Sequence, residues 1–164
     1  MTRIYALISA LILSLGLHVL GQGEVGKVNL VLIMDNGKIG KAYFDDFVEQ
    51  EETERNETKQ EALSRITREL TYKLREGLSE KAKRYRYGDF PNAQYTLTVH
   101  FIKSNKDGQN ASFSFELKNN QTGAVIATFT KSDGGGSFGS RVNLLGDCLI
   151  GVGKKAAKEI EKLI

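Results

Sequence analysis

The chain has 164 residues, 40% of them hydrophobic and 26% charged, with a formal net charge of +3, one cysteine and one proline. That length suits one domain, burying roughly two-thirds of its chain surface. A near-balanced charge gives no warrant for nucleic acid as a partner. The single cysteine, Cys148, excludes an internal disulfide, so the fold must stand on its core.

The first 21 residues read as a signal peptide. Arg3 is their only charge, Ile4 to Leu15 is apolar, and Val19-Leu-Gly21 is a plausible cleavage site. The rival reading is an uncleaved anchor, since an apolar run of roughly 17 residues reaches the lower limit of a spanning helix. Membrane association is expected only through that uncleaved segment. Cleavage before Gln22 leaves residues 22–164 as a single domain that export would expose to an oxidising compartment.

Val28 to Met34 is nearly continuous apolar, the mark of a central or doubly covered strand. Asp35-Asn-Gly37 fits a tight turn, and Lys38 to Phe44 could pair back as a hairpin. Residues 45–57 form an acidic linker that carries Asp45, Asp46, Glu49, Glu51, Glu52, Glu54 and Glu57 into a helix N-terminus, where negative charge opposes the macrodipole. A calcium loop is the sharper reading of these acids, but its D-x-[DN]-x-[DN]-G spacing is missing.

Thr58-Lys-Gln-Glu61 fits a capping box. Leu63, Ile66, Leu70, Leu74, Leu78, Ala82 and Tyr85 then step by three or four, an apolar stripe that predicts one helix ended by Gly88 and Pro91. Lys81, Lys83, Arg84 and Arg86 fall in its last turns, where cations complement the helix dipole.

Three alternating segments follow: Tyr95 to Lys103, Ala111 to Lys118 and Ala124 to Lys131. Each places apolar residues, many of them aromatic or β-branched, on one face, among them Val99, Phe101, Phe113, Phe115, Val125, Ala127 and Phe129. Two polar turns, Ser104 to Asn110 and Asn119 to Gly123, join them into a meander. Its other face carries Thr96, Thr98, His100, Ser112, Ser114, Glu116, Thr128 and Thr130, interrupted by Ile102 and Ile126. That face is either simply solvated or a docking surface.

A closing helix is expected from about Ser140, with Val142, Leu145, Leu149, Val152, Ala156, Ile160 and Leu163 as its stripe. Gly146, Gly151 and Gly153 each cost about 1 kcal/mol relative to alanine in a helix. They imply close approach to a neighbouring backbone, with the helix seated tightly on the sheet. The fold class is therefore α+β: an antiparallel sheet of four or five strands with two long helices packed on one face.

For chemistry the sequence is sparse. His100 is the only histidine after residue 21, and it falls on the wet face of its strand. Cys148 has no histidine or lysine beside it in sequence and reads as a buried, inert thiol. Neither a metal cluster nor a cofactor is called for. The one provocative stretch is the glycine-rich turn before the closing helix: Gly134, Gly135, Gly136, Ser137, Gly139, Ser140 and Arg141. Unpaired N–H groups there, with a guanidinium beside them, could hold an anion. The phosphate-loop pattern is absent, because Ser140 and Arg141 follow Gly139 without the lysine. Paired carboxylates brought together only by folding leave an enzyme as a third possibility.

Leu74-Arg-Glu-Gly-Leu78, Gly88-Asp-Phe90, Tyr95-Thr-Leu-Thr-Val99, Thr122-Gly-Ala-Val-Ile-Ala127 and Gly153-Lys-Lys-Ala-Ala-Lys-Glu-Ile160 carry a resemblance over Glu57 to Ile164. The pattern resembles bacterial exported proteins and lipoproteins of unknown function, with a periplasmic α/β domain like that of the curli-secretion and penicillin-binding-protein-activator lipoproteins. The sequence departs from that group in having no lipobox cysteine after the apolar segment. The resemblance implies a non-catalytic protein of the bacterial envelope, periplasmic or extracellular, acting as an interaction module whose partner is another envelope protein. The alternative is a small-ligand or anion-binding domain using the glycine-rich turn.

Overall fold

A computed structural model describes residues 25–34, 48, 55–105, 109–136 and 138–164. The element order is β1 (Gly26–Ile33), α1 (Lys59–Lys81), β2 (Tyr85–Gly88), β3 (Tyr95–Ser104), β4 (Asn110–Asn119), β5 (Val125–Gly134) and α2 (Arg141–Leu163). The segment read as a signal peptide, the return strand expected over Lys38 to Phe44 and most of the expected acidic linker lie outside the described residues.

The fold is α+β, with a five-stranded sheet in the order β2-β1-β3-β4-β5 and both helices on one face. The meander β3-β4-β5 is antiparallel as expected. The sheet is mixed, however, because β1 runs parallel to both of its neighbours, β2 and β3. Its continuous apolar run fits that central place: Val28, Leu30 and Leu32 are buried under the helices, while Val31 and Ile33 lie on the opposite face.

Residues Tyr85 to Gly88, expected as the last turn of the first helix, are the edge strand β2. The helix stops at Lys81 because Ala82 turns extended (φ −71°, ψ 134°). The turn is then held from outside: one carboxylate oxygen of Glu161 accepts the Lys83 and Arg84 N–H groups, each at 3.1 Å, and the other accepts Arg84 Nε at 3.1 Å. Burial pushes the Glu161 carboxyl up, but these donors outweigh it and leave the group below its ordinary value. Tyr87 then points into the core and Tyr85 packs edge-on against Tyr95, a period of two hidden inside a cationic stretch.

At the other end of α1 the capping box is complete: Thr58 Oγ1 accepts from Glu61 N, and the Glu61 carboxylate accepts from Thr58 N at 2.8 Å. Glu57 is tied down as well, its carboxylate taking the Arg65 guanidinium at 2.8–3.0 Å. Ile66, Leu70, Leu74 and Leu78 of α1 are fully buried, as are Leu145, Leu149, Val152 and Ile160 of α2. They meet Phe101, Phe113, Phe115, Leu97 and Val99 of the sheet in one core. α1 covers the β1–β2 side, α2 covers the β4–β5 side, and the helices pack along each other.

That last contact explains the glycines of α2. A Cβ on Gly153 would stand 2.9 Å from the Leu74 carbonyl oxygen, and one on Gly77 of α1 would stand 2.2 Å from the Ile150 carbonyl oxygen. The close approach is helix to helix, whereas the sequence pattern pointed to the sheet. Only Gly151 abuts the sheet, at the Asp133 side chain of β5.

A second difference lies in β5. The β4–β5 register shifts at Leu117/Lys118, so Ala127 pairs with Leu117 but Val125 pairs with Lys118. The bulge reverses the phase of the strand's first residues. Val125 is exposed, and Ile126, expected to interrupt the wet face, packs against the core.

Candidate functional site

The glycine-rich turn departs from β5 and enters α2. Gly134 is the last residue of β5 and borders a polar cleft of about 570 Å³ with Asn105, Asn110 and Asp133. Gly135 donates its N–H to Gln109 O at 2.5 Å. A Cβ there would lie 2.3 Å from the Leu144 carbonyl oxygen and 3.3 Å from Cys148 Sγ, so its bare Cα is what lets the chain cross α2. Gly136 faces the Asp147 carboxylate. Gly139 takes a positive φ of 133°, a conformation costly for any side chain. Ser140 is the N-cap of α2 and accepts Asn143 N–H at 3.3 Å; Arg141, half-buried, opens the helix. Ser137 lies outside the described residues. Phe138 at the turn's tip is 94% exposed. The fold thus brings the turn's glycines against α2 and sets two carboxylates, Asp133 and Asp147, alongside it.

Cys148 lies beneath this turn. It is fully buried, and its thiol donates to Gln109 O at 3.3 Å. Burial pushes the thiol up to about 11. No group of three or more histidine, cysteine and acidic side chains able to hold a metal occurs among the described residues.

The wet face of the meander forms ordered rows across the sheet. Thr98 stands between Val31 of β1 and Glu116 of β4, and Glu116 faces Thr128 of β5. The next row runs Ile33, His100, Ser114 and Thr130. Ser112 and Ser132 join their hydroxyls at 2.7 Å. Asn29, on the same face, accepts the Phe90 N–H at 3.1 Å, so the loop from β2 to β3 crosses β1 there.

At the far side of this face lies the edge of β5. The bond from Gly135 N to Gln109 O fixes the parity of the β4–β5 ladder. Phe129 and Lys131 turn their backbone groups toward β4, and Thr128, Thr130 and Ser132 turn theirs outward. Lys155 Nζ donates to the Ser132 carbonyl oxygen at 2.8 Å and pairs with Asp133 at 3.1 Å, covering one end of the edge. Thr128 and Thr130, both exposed, have no such cover among the described residues.

A feature the periodicity gave no sign of is a cleft of about 620 Å³ between α1 and the end of β2, floored by Leu30 and Leu63. It exists because β2 stops at Gly88, opposite Asn29, and leaves the second half of β1 without a neighbour on that side among the described residues. From sequence, only the shortness of the Tyr85–Gly88 segment could have hinted at it.

No protein-family model matches the chain, and no curated protein matches it. Solved structures it is similar to include the PelC dodecamer from Paraburkholderia phytofirmans, at 14% identity over 82% of this chain and 91% of that one, with a TM-score of 0.44. TolB from Acinetobacter baumannii is similar at 9% identity over 86% of this chain but 28% of its own, with a TM-score of 0.45. Lipoprotein GNA1162 from Neisseria meningitidis is similar at 12% identity over 82% of this chain and 99% of its own, with a TM-score of 0.40. Bacterial lipoproteins are therefore among the structures this chain resembles. No helix of the described residues is long and apolar enough to cross a membrane.

Proposed function

We propose that this chain is an exported, non-catalytic interaction module of the bacterial envelope, and that it binds its partner by strand addition at β5. The observation that carries this reading is the edge itself. β5 is ten residues long and outermost in the sheet, and its Val125–Thr130 half is uncharged. The N–H and C=O groups of Thr128 and Thr130 point away from β4 in a ladder that an extended segment can continue. Edge strands are commonly blunted by charge or cover; among the described residues the Ser132 end is covered, through Lys155, and the part with Thr128 and Thr130 is not. The Ser/Thr rows beside it supply side-chain partners for the added strand.

Thr130→Pro tests the reading. Proline removes an outward N–H that the β4 ladder does not use, so the fold should survive while strand addition is blocked. The expected result is a stoichiometric protein partner recovered with the wild-type chain from native envelope extract and lost with Thr130→Pro at unchanged melting temperature. Equal recovery of the partner by both forms overturns β5 as the surface. A bound small molecule in place of a protein overturns the interaction reading.

A further inference from the structure

The cleft beside α1 combines two arginines with an apolar floor. Arg68 and Arg75 line it from one helix face, seven residues or roughly 10 Å apart along the axis. Tyr72 stands between them, 57% exposed, with the Arg75 guanidinium 5.2 Å from its ring centre. The neighbouring cations are matched: Arg65 with Glu57 and Glu69, Lys73 with Glu76, Lys81 with Glu80. Arg68 and Arg75 have no carboxylate partner among the described residues. Below them the surface turns apolar at Leu63 and Leu30, which join the hydrophobic core. One acid, Asp89, sits on the rim.

We infer that this cleft binds an amphipathic anion, a single apolar chain or ring carrying a carboxylate or phosphate head. The volume, about 620 Å³, falls within the range of small-molecule pockets. An apolar body would cover half-buried Leu63 and the exposed Tyr72 ring and rest on the nearly buried Leu30, taking apolar surface out of water. The head would take the fork-shaped donors of Arg68 and Arg75, which match carboxylate and phosphate geometry and are less tightly hydrated than a lysine ammonium. A bare inorganic anion would leave the apolar floor wet, and an uncharged amphiphile would leave both guanidinium groups unused. Because Asp89 repels the head on its side, the head belongs at the α1 wall.

The test is calorimetric titration of the full chain with dodecanoate and dodecyl phosphate below their micellar concentrations. Dodecyl maltoside, dodecyltrimethylammonium and inorganic phosphate serve as contrasts. Both anionic amphiphiles should bind with one-to-one stoichiometry, and the three contrasts should bind at least about tenfold more weakly. The double variant R68Q/R75Q, altered at exposed positions, should keep its melting temperature and lose at least about tenfold in affinity, since a hydrogen bond to a charged group contributes more than one such factor. Y72A should weaken dodecanoate and leave inorganic phosphate unchanged. Equal affinity for maltoside and dodecanoate, unchanged affinity in R68Q/R75Q, or no binding by either anionic amphiphile would overturn the assignment. Tight binding of phosphate alone would replace it with a plain anion site.

Discussion

Gly77→Ala is the most informative single change in this fold, because it adds one methyl group where two backbones touch. The new Cβ would stand 2.2 Å from the Ile150 carbonyl oxygen and 2.8 Å from its carbon, both in α2. Ordinary contact begins at 3.4 Å, so α1 and α2 must part by about 1.2 Å (3.4 − 2.2) or tilt by as much. A side chain in the way could rotate aside; a helical carbonyl cannot. A gap of about 0.5–1 Å already forfeits a quarter to a half of each dispersion contact, and this one is wider. Leu74, Leu78, Leu149 and Val152 lie fully buried near it. Overpacking a tight core costs about 1–3 kcal/mol, and an immovable obstacle argues for the upper end. Alanine returns about 1 kcal/mol in helix propensity. The net expectation is a loss of about 2 kcal/mol, read as a lower urea midpoint at unchanged slope. Ser79→Ala, on the exposed side of the same turn, should move stability by no more than about 0.5 kcal/mol. Gly153→Ala acts on the same crossing, so the two glycine variants should be non-additive in a double-mutant cycle. A Gly77→Ala protein as stable as the wild type would refute the close crossing of α1 and α2.

Two further predictions concern the other helix. Leu149→Ala should leave a cavity and cost about 2–5 kcal/mol, a large share of the 5–15 kcal/mol typical of a domain. Lys158→Ala, on the exposed side of α2, should stay within about 0.5 kcal/mol, and equal urea midpoints for the two would mean that α2 is not docked through this stripe. Cys148 should make stability fall between pH 9 and 11. Its thiol ionises at 9.0 in an ordinary setting and at about 11 here, so in that window the unfolded chain releases a proton that the native state keeps. The stabilisation is complete below pH 9 and declines by about 2–3 kcal/mol as pH rises to 11. The difference in urea midpoint between wild type and Cys148→Ala should shrink across that range; a difference independent of pH would show that the thiol does not titrate as its burial demands.

Much of this architecture was legible in the chain because it rests on local period. The stripe Ile66, Leu70, Leu74, Leu78 and the alternation of Val99, Phe101, Phe113 and Phe115 state which face each element buries. Thr58 and Glu61 mark the start of α1 by a pairing only three residues apart. What misled was structure held by distant partners. Tyr85 and Tyr87 continue the 3.6-residue stripe nearly as well as they alternate, and the choice falls to Glu161, which holds the Lys83–Arg84 turn from 77 and 78 residues away. Gly77 gave no signal because its reason, the Ile150 carbonyl, lies on another helix. Val125 and Ile126 exchanged faces because a bulge shifts phase without changing composition.

The candidate sites divide in the same way. Thr98, His100, Ser114, Thr128 and Thr130 share a face by the geometry of a strand, so sequence alone placed them together. That β5 is an edge, and that Thr128 and Thr130 rather than Phe129 turn their backbones outward, follows from strand order and ladder parity, which no single strand encodes. Arg68, Tyr72 and Arg75 read in the chain as one more solvated helix face. They line a cleft because, among the described residues, β2 ends at Gly88 and leaves the flank of β1 beside them open. Period and capping act over a few residues and are written in the chain; edges, clefts and backbone crossings are made by what a neighbouring element leaves uncovered, and packing alone decides that.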